Sequence, residues 1–181
     1  YFMSIFSYVG VEQGVGNWMS AFLQEYHHID PQTTGAQTVA YFWGMLTLGC
    51  LLGLALLKVI DSRILLIFFS SLAIICLLAA LFLSVKIALF AFPMVGFFIS
   101  IMWSVLVSLA LNSVKEHHGS LSGILCSGIA GGALLPLFIG AISDGVGIKF
   151  GMLFLMVPLA YVFSVGFWAR PLVNNKTLNL K

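Results

Sequence analysis

Residues 64–85 read ILLIFFSSLAIICLLAALFLSV, 22 residues without a charge. At about 1.5 Å of rise per residue a helix of that length covers roughly 33 Å, enough to cross a hydrocarbon core of about 30 Å. The same reading extends outward in both directions. Cutting the chain at its charges leaves five further apolar runs, at 1–23, 38–57, 87–114, 121–143 and 150–169. None alternates apolar and polar residues at period two, and hydrocarbon leaves a backbone only helices or closed barrels. The sequence therefore predicts an all-α bundle of six transmembrane helices over residues 1–170 and a polar tail over 171–181.

Composition agrees. Of 181 residues, 61% are apolar, while eight are Lys or Arg and six Asp or Glu. A soluble domain is about 45–50% apolar and about a quarter charged, so soluble enzymes and nucleic-acid binders are excluded. The net charge of +2 is also too small for a nucleic-acid footprint. Lys58, Arg63, Lys115, Arg170, Lys176 and Lys181 fall on one side of the expected membrane, and Lys86 and Lys149 on the other. By the positive-inside rule the C-terminus and the 58–63 and 113–120 connections are expected in the cytoplasm, with Glu25 and Asp30 outside. The opening at Tyr1, in an apolar span without a basic flank, reads as the later part of a longer protein rather than as a signal peptide.

Two segments align at an offset of 83 residues. Gly49-Cys50-Leu51-Leu52-Gly53-Leu54 leads to Asp61, and Gly132-Ala133-Leu134-Leu135-Pro136-Leu137 leads to Asp144, with a Gly-to-Asp spacing of 12 in both. The offset lays spans one to three over spans four to six. Three is odd, so the second triplet crosses in the opposite sense: an inverted-topology repeat.

Glu12 is the one acidic residue well inside a span. A carboxylate there costs several kcal/mol unless it finds a partner, a proton or water, so it is a candidate for proton coupling or solute contact, or else a protonated acid bonded to a neighbouring helix. Gln13, Asn17, Ser20 and Gln24 fall on one helical face as a polar stripe, which argues for water along it. Glu12, about 100° away, is expected to face an adjacent helix. In the fourth span Gly96, Ser100, Ser104, Ser108 and Asn112 recur every four residues beside Trp103. The small residues read as a packing seam, and Trp103 as an aromatic face for a cavity. Tyr41 and Trp43 are weaker candidates, since interfaces attract Trp and Tyr anyway. In the fifth span Gly128, Gly132, Pro136 and Gly140 suggest close packing with a proline kink, and Pro93 and Pro158 suggest the same elsewhere.

Cys50, Cys76 and Cys126 fit no metal or disulfide spacing and read as inert small apolar residues. His27 and His28 with Asp30 lie in a solvated loop, across the membrane from His117 and His118, so no metal is expected. No phosphate loop, zinc-protease motif or nucleophile elbow is present, so no cofactor and no enzyme activity are expected.

Tyr8-Val9-Gly10-Val11-Glu12-Gln13-Gly14-Val15-Gly16-Asn17-Trp18, the Gly49–Arg63 segment, and the stretch from Gly131-Gly132 through Pro136 and Gly140 to Asp144 together resemble the C-terminal half of a major facilitator protein. The resemblance is strongest to the fucose, galactose and glucose proton symporter family, whose seventh to twelfth helices it would cover. It implies that the first and fourth spans line a central cavity, with Gln13, Asn17 and Trp103 facing a sugar. It also implies proton symport by alternating access in a cell inner membrane, with lipid, a small polar solute, a proton and an N-terminal six-helix half as partners and no nucleic acid. In that family the main proton-carrying carboxylates lie in the other half, which leaves Glu12 auxiliary. One departure stands out: the family's Gly-Arg-x-x-Gly has Cys50 at its arginine, although Arg63 remains. Two other readings stay open, a facilitator exporting drugs or metabolites and a non-transporting membrane scaffold.

Overall fold

The structure, a computed structural model, describes residues 1–172, so residues 173–181 of the expected tail, with Lys176 and Lys181, lie outside the described residues. Among the described residues all regular structure is helical. The elements are α1 (Phe2–His27), α2 (Ala36–Leu56), α3 (Ser62–Phe82), α4 (Val85–Ile99), α5 (Met102–Leu111), α6 (His118–Ser127), α7 (Gly131–Val146), α8 (Ile148–Leu153) and α9 (Met156–Trp168). A π-helical turn, Pro31–Gly35, leads into α2, and a 3-10 turn, Gly128–Ala130, joins α6 to α7. Consecutive pieces combine into the six expected rods. Five rods are long and apolar enough to cross a membrane.

The exception by composition is α1. It is 26 residues long but carries Glu12, Gln13, Asn17 and three glycines, and 13 of its residues are buried, against four of the 21 in α2. The most polar rod is thus half enclosed, far more than α2, and much of it need not dissolve in lipid.

Boundaries move where local chemistry decides them. The first span continues past residue 23 to His27 and stops where His28 turns left-handed (φ 54), its N–H donating to the Gln24 carbonyl at 3.1 Å. The second rod starts early because Asp30 caps the π-helical turn, accepting from the Gln32 N–H (3.0 Å) and the Thr33 hydroxyl (2.7 Å). These bonds stabilise the charged carboxylate and hold the exposed Asp30 below the usual carboxylate range. The expected single helix over 87–114 is broken at Ser100 and Ile101, and that over 121–143 at Gly128–Ala130. Neither break falls on a proline: α4 runs through Pro93 and α7 through Pro136. Pro158 does mark an interruption, lying in the first turn of α9 just after the gap at 154–155.

Packing follows an inverted-repeat symmetry. The α4 helix packs on α2 and α3, α1 packs on α7 and α9, and α3 packs on α9. Exchanging spans one, two and three with four, five and six converts α2–α4 into α7–α1 and α3–α4 into α9–α1, and maps α3–α9 onto itself. The 83-residue offset holds even for single contacts. Ile101 lies against Gly53, and Trp18 donates its indole N–H to the Pro136 carbonyl at 3.1 Å. Adding 83 to 18 and to 53 gives 101 and 136, so these two contacts are symmetry mates.

Glycine permits the closest of these approaches. A Cβ on Gly49 would stand 2.6 Å from the Phe97 carbonyl oxygen, and one on Gly96 would stand 2.5 Å from the Phe42 carbonyl oxygen. At the α1–α7 contact a Cβ on Gly131 would run into the backbone of Phe6, 2.7 Å from its carbonyl carbon. Gly140 leaves room for the Trp18 ring, whose edge lies 3.1 Å from the position a Cβ would take. Two of the three sequence stretches that carry the family resemblance, 8–18 and 131–144, are therefore largely the two sides of one helix contact.

At one end of the bundle the Tyr1 hydroxyl pairs with that of Ser113 (3.0 Å), the Arg63 guanidinium reaches the Ala169 carbonyl (3.5 Å) and the Leu172 N–H donates to the Asn112 carbonyl (2.8 Å). At the other end the Lys149 ammonium stands over the rings of Phe82 (4.3 Å) and Tyr26 (5.6 Å), a cation–π arrangement.

Gly131→Ala is expected to lower stability by about 1–3 kcal/mol, the usual cost of overpacking, because backbone cannot rotate out of the way. Gly123→Ala, where nothing lies within 4 Å of the added methyl, is expected to be neutral. Thermal unfolding in detergent checks both, and equal melting temperatures for the two variants would contradict the packing argument.

Candidate functional site

Between the repeats lies a cavity of about 410 Å3, within the range of roughly 300–1,000 Å3 typical of small-ligand sites. From α1 come Tyr8, Glu12 and Gln13; from α2, Cys50; from α5, Trp103 and Ser104. Val9 of α1, Ser100 at the break between α4 and α5, and Ile129 in the 3-10 turn complete the wall, so the breaks in the fourth and fifth rods both open onto this hollow.

The α1 side chains are connected. The Tyr8 hydroxyl donates to one oxygen of Glu12, and the Gln13 amide nitrogen donates to the other at 3.5 Å. Tyr8 is buried, and its ring leans on Trp103 with centroids 6.3 Å apart at 52°. The break in the fourth rod is tied in as well: the Cys50 thiol donates to the Ser100 carbonyl (3.3 Å), and the Ser100 hydroxyl to the Phe97 carbonyl (2.7 Å). Such pairing is what buried polar groups need, because an unmet donor or acceptor costs about 1–3 kcal/mol.

Among the residues singled out in the sequence, the cavity gathers Gln13, Trp103 and Glu12. Glu12 does not point away to an adjacent helix. Neighbouring residues on a helix are 100° apart, yet Glu and Gln are long enough to converge on one hollow, as their 3.5 Å contact shows. Asn17 is exposed one turn further along α1. The polar stripe is not open along its whole length, because Ser20 lies under Gly35 of the π-helical turn. Trp43 packs against Gly16 and edge-on to Phe42 (5.3 Å). Tyr41 lines a separate groove with Lys86, Phe90 and Pro93.

Sequence reasoning passed over Tyr8, which was legible as an aromatic one turn before Glu12. It also read Cys50 as inert packing and Ser104 as seam, whereas both line the cavity. Among the described residues no three His, Cys, Asp or Glu side chains come together. Arg63 pairs with Asp61 at 3.5 Å at the bundle's end.

This architecture is that of one six-helix half of the major facilitator fold, and it corresponds to the C-terminal half. Its backbone superposes on a major facilitator superfamily transporter, FucP, solved in the outward conformation, with a TM-score of 0.87 over 93% of this chain and 41% of that one, at 18% identity. A POT family transporter solved with a thioalcohol-conjugated peptide gives a TM-score of 0.79 over 97% of this chain and 39% of that one, at 15% identity. In sequence the chain is 37% identical over 170 residues to a glucose/galactose transporter of Brucella abortus biovar 1 (strain 9-941), which covers 91% of this chain. The chain spans about 40% of the length of that relative. No protein-family model matches the chain.

With Cys76 and Cys126 replaced by Ala, a charged, membrane-impermeant methanethiosulfonate is expected to modify Cys50, since thiolates form only where water reaches. Mass spectrometry reads the adduct. Absence of modification at Cys50 under conditions that label Cys126 in the parent chain would mean a dry cavity.

Proposed function

We infer that this chain is the C-terminal half of a sugar carrier. It works with an N-terminal six-helix half, moves a hexose of the glucose or galactose type through a site between the halves, and couples it to protons by alternating access. The observation that carries the reading is the cavity in which an indole, an amide, a carboxylate and a hydroxyl converge between inverted repeats. Carriers of this construction bind solute near the bilayer midplane at the repeat interface. The name of the 37%-identical relative supports a hexose as solute. Gln13 and Trp103 bind it, the first by hydrogen bonds and the second by its ring face. Asn17 extends the same helix face toward the mouth, and Trp43 lies beside Gly16 on that side. Tyr41 has the weakest claim, being on a different groove.

The protein is a multi-pass component of a cell inner membrane and performs transport rather than catalysis. Arg63 and the Asn112–Ser113 corner gather at the end where Leu172 lies. With Lys58, Lys115 and Arg170 nearby in sequence, that end is cytoplasmic by the positive-inside rule. The principal proton-carrying carboxylates belong to the other half.

Reconstituted as part of a complete twelve-helix carrier, this half is expected to support saturable uptake of labelled glucose or galactose, faster under an inward proton gradient. Gln13→Ala and Trp103→Ala each lower kcat/KM about tenfold, equivalent to roughly 1.4 kcal/mol of lost contact. The 181 residues alone are expected to give no uptake. Uptake indifferent to both substitutions, or selective for apolar compounds over sugars, would overturn the reading.

A further inference from the structure

Glu12 receives one donor on each carboxyl oxygen, the Tyr8 hydroxyl on one and the Gln13 amide on the other. An ionised carboxylate offers about four lone-pair sites on its two oxygens. Each oxygen therefore keeps an acceptor position, and the group lines the cavity alongside Trp103. Its aim is fixed by its neighbours. Tyr8 sits one helical turn before it, is only 4% exposed, and rests its ring on Trp103. A hydroxyl on so confined a ring has little freedom, and neither has the carboxylate it holds.

Two acceptors side by side, next to an aromatic face, match one chemical feature of a hexose: two neighbouring ring hydroxyls donating in parallel, with the C–H face of the ring against an indole. Among the cavity's side chains the carboxylate matches that pair, because it sets two acceptor atoms side by side, whereas an amide or a serine hydroxyl would have to take both donors on one oxygen. We propose that Glu12 binds a vicinal diol of the transported sugar and sets which hydroxyls are required, with Tyr8 as the positioning residue that aims it. This rests on the sugar-carrier reading. It gives Glu12 a part in recognition that does not depend on its carrying the transported proton.

The test uses the complete carrier containing this half in proteoliposomes. Exchange kinetics are measured for glucose, galactose and glucose analogues that each lack one ring hydroxyl. The wild type is expected to lose about tenfold or more in kcat/KM when either hydroxyl of one adjacent pair is missing, since a site built to bond a hydroxyl discriminates strongly against its absence. Glu12→Gln is expected to lose about tenfold for the parent sugar and most of that preference over the two analogues. Tyr8→Phe keeps the ring on Trp103 and is expected to raise KM with kcat little changed, the mark of weakened binding. Melting temperatures confirm that both variants fold, and Glu12→Asp, which draws the carboxylate back from Tyr8, is expected to repeat the loss if Glu12→Gln does not fold.

If Glu12→Gln keeps the full preference among analogues, the proposal is overturned. That includes the case where it loses only gradient-driven accumulation, which would make Glu12 a coupling group. A wild-type carrier that moves no sugar overturns the carrier reading and this one together.

Discussion

Lipid tails are as apolar as leucine, so helices in a bilayer gain little by burying leucine against leucine, and association depends on how closely their atoms can approach. In this bundle several of the closest approaches set a glycine against the backbone of another helix: Gly131 on Phe6, Gly49 on Phe97 and Gly96 on Phe42. Everything else is registered by them. With α1 seated against α7 at Gly131, the indole of Trp18 meets the Pro136 carbonyl across the gap left by Gly140. The rotation of α1 is then set, and Tyr8, Glu12 and Gln13 face the space between the repeats. The site residues are thus positioned by the contact α1 makes with α7, and Gln13 borders that contact at Gly132.

The polarity of α1 follows from the same packing. A carboxyl group in a membrane helix costs roughly 2.5–3.5 kcal/mol on insertion scales, and three glycines weaken the helix further. A rod with those defects is tolerable only where neighbours surround it, and half of α1 is buried. Tyr8 and Gln13 give Glu12 its donors from within the same helix, so the group is served before any solute arrives.

The six spans were legible in the sequence because length and apolar content act additively over 20 residues, and the repeat was legible because its glycines are contact points. The breaks in the fourth and fifth rods were not. A proline is visible in a sequence, but α4 and α7 run through theirs, while the fourth rod breaks at Ser100 and Ile101, where the Ser100 carbonyl bonds the Cys50 thiol of another helix. That is a tertiary event with no local signal. The same limit accounts for the misplaced Glu12 and the cysteine read as filler. Angular position on a helix gives the direction of Cβ, whereas the end of a long side chain goes where its partners are. Gln13 and Trp103 were legible as cavity residues because an amide or an indole inside a span needs a hydrogen-bond partner that lipid cannot supply.

The repeat is symmetric in backbone and contact but not in chemistry. Shifted by 83, Tyr8 falls on Ala91, Glu12 on Val95 and Gln13 on Gly96, all buried, and Trp103 falls back on Ser20 beneath the π-helical turn. The second repeat uses those positions for packing, with Gly96 pressed against the Phe42 carbonyl where the first repeat carries an amide. Had the fourth span kept a carboxylate at Val95, two like charges would stand on symmetry-related sites of one bundle, each needing its own donors. By retaining one polar set on α1 and one indole on α5, the fold keeps the close helix contacts that hold it together and still exposes a one-sided site, polar along one wall and aromatic along the other. The hexose proposed as solute has the same two-faced character, with hydroxyls around its rim and C–H groups over its face.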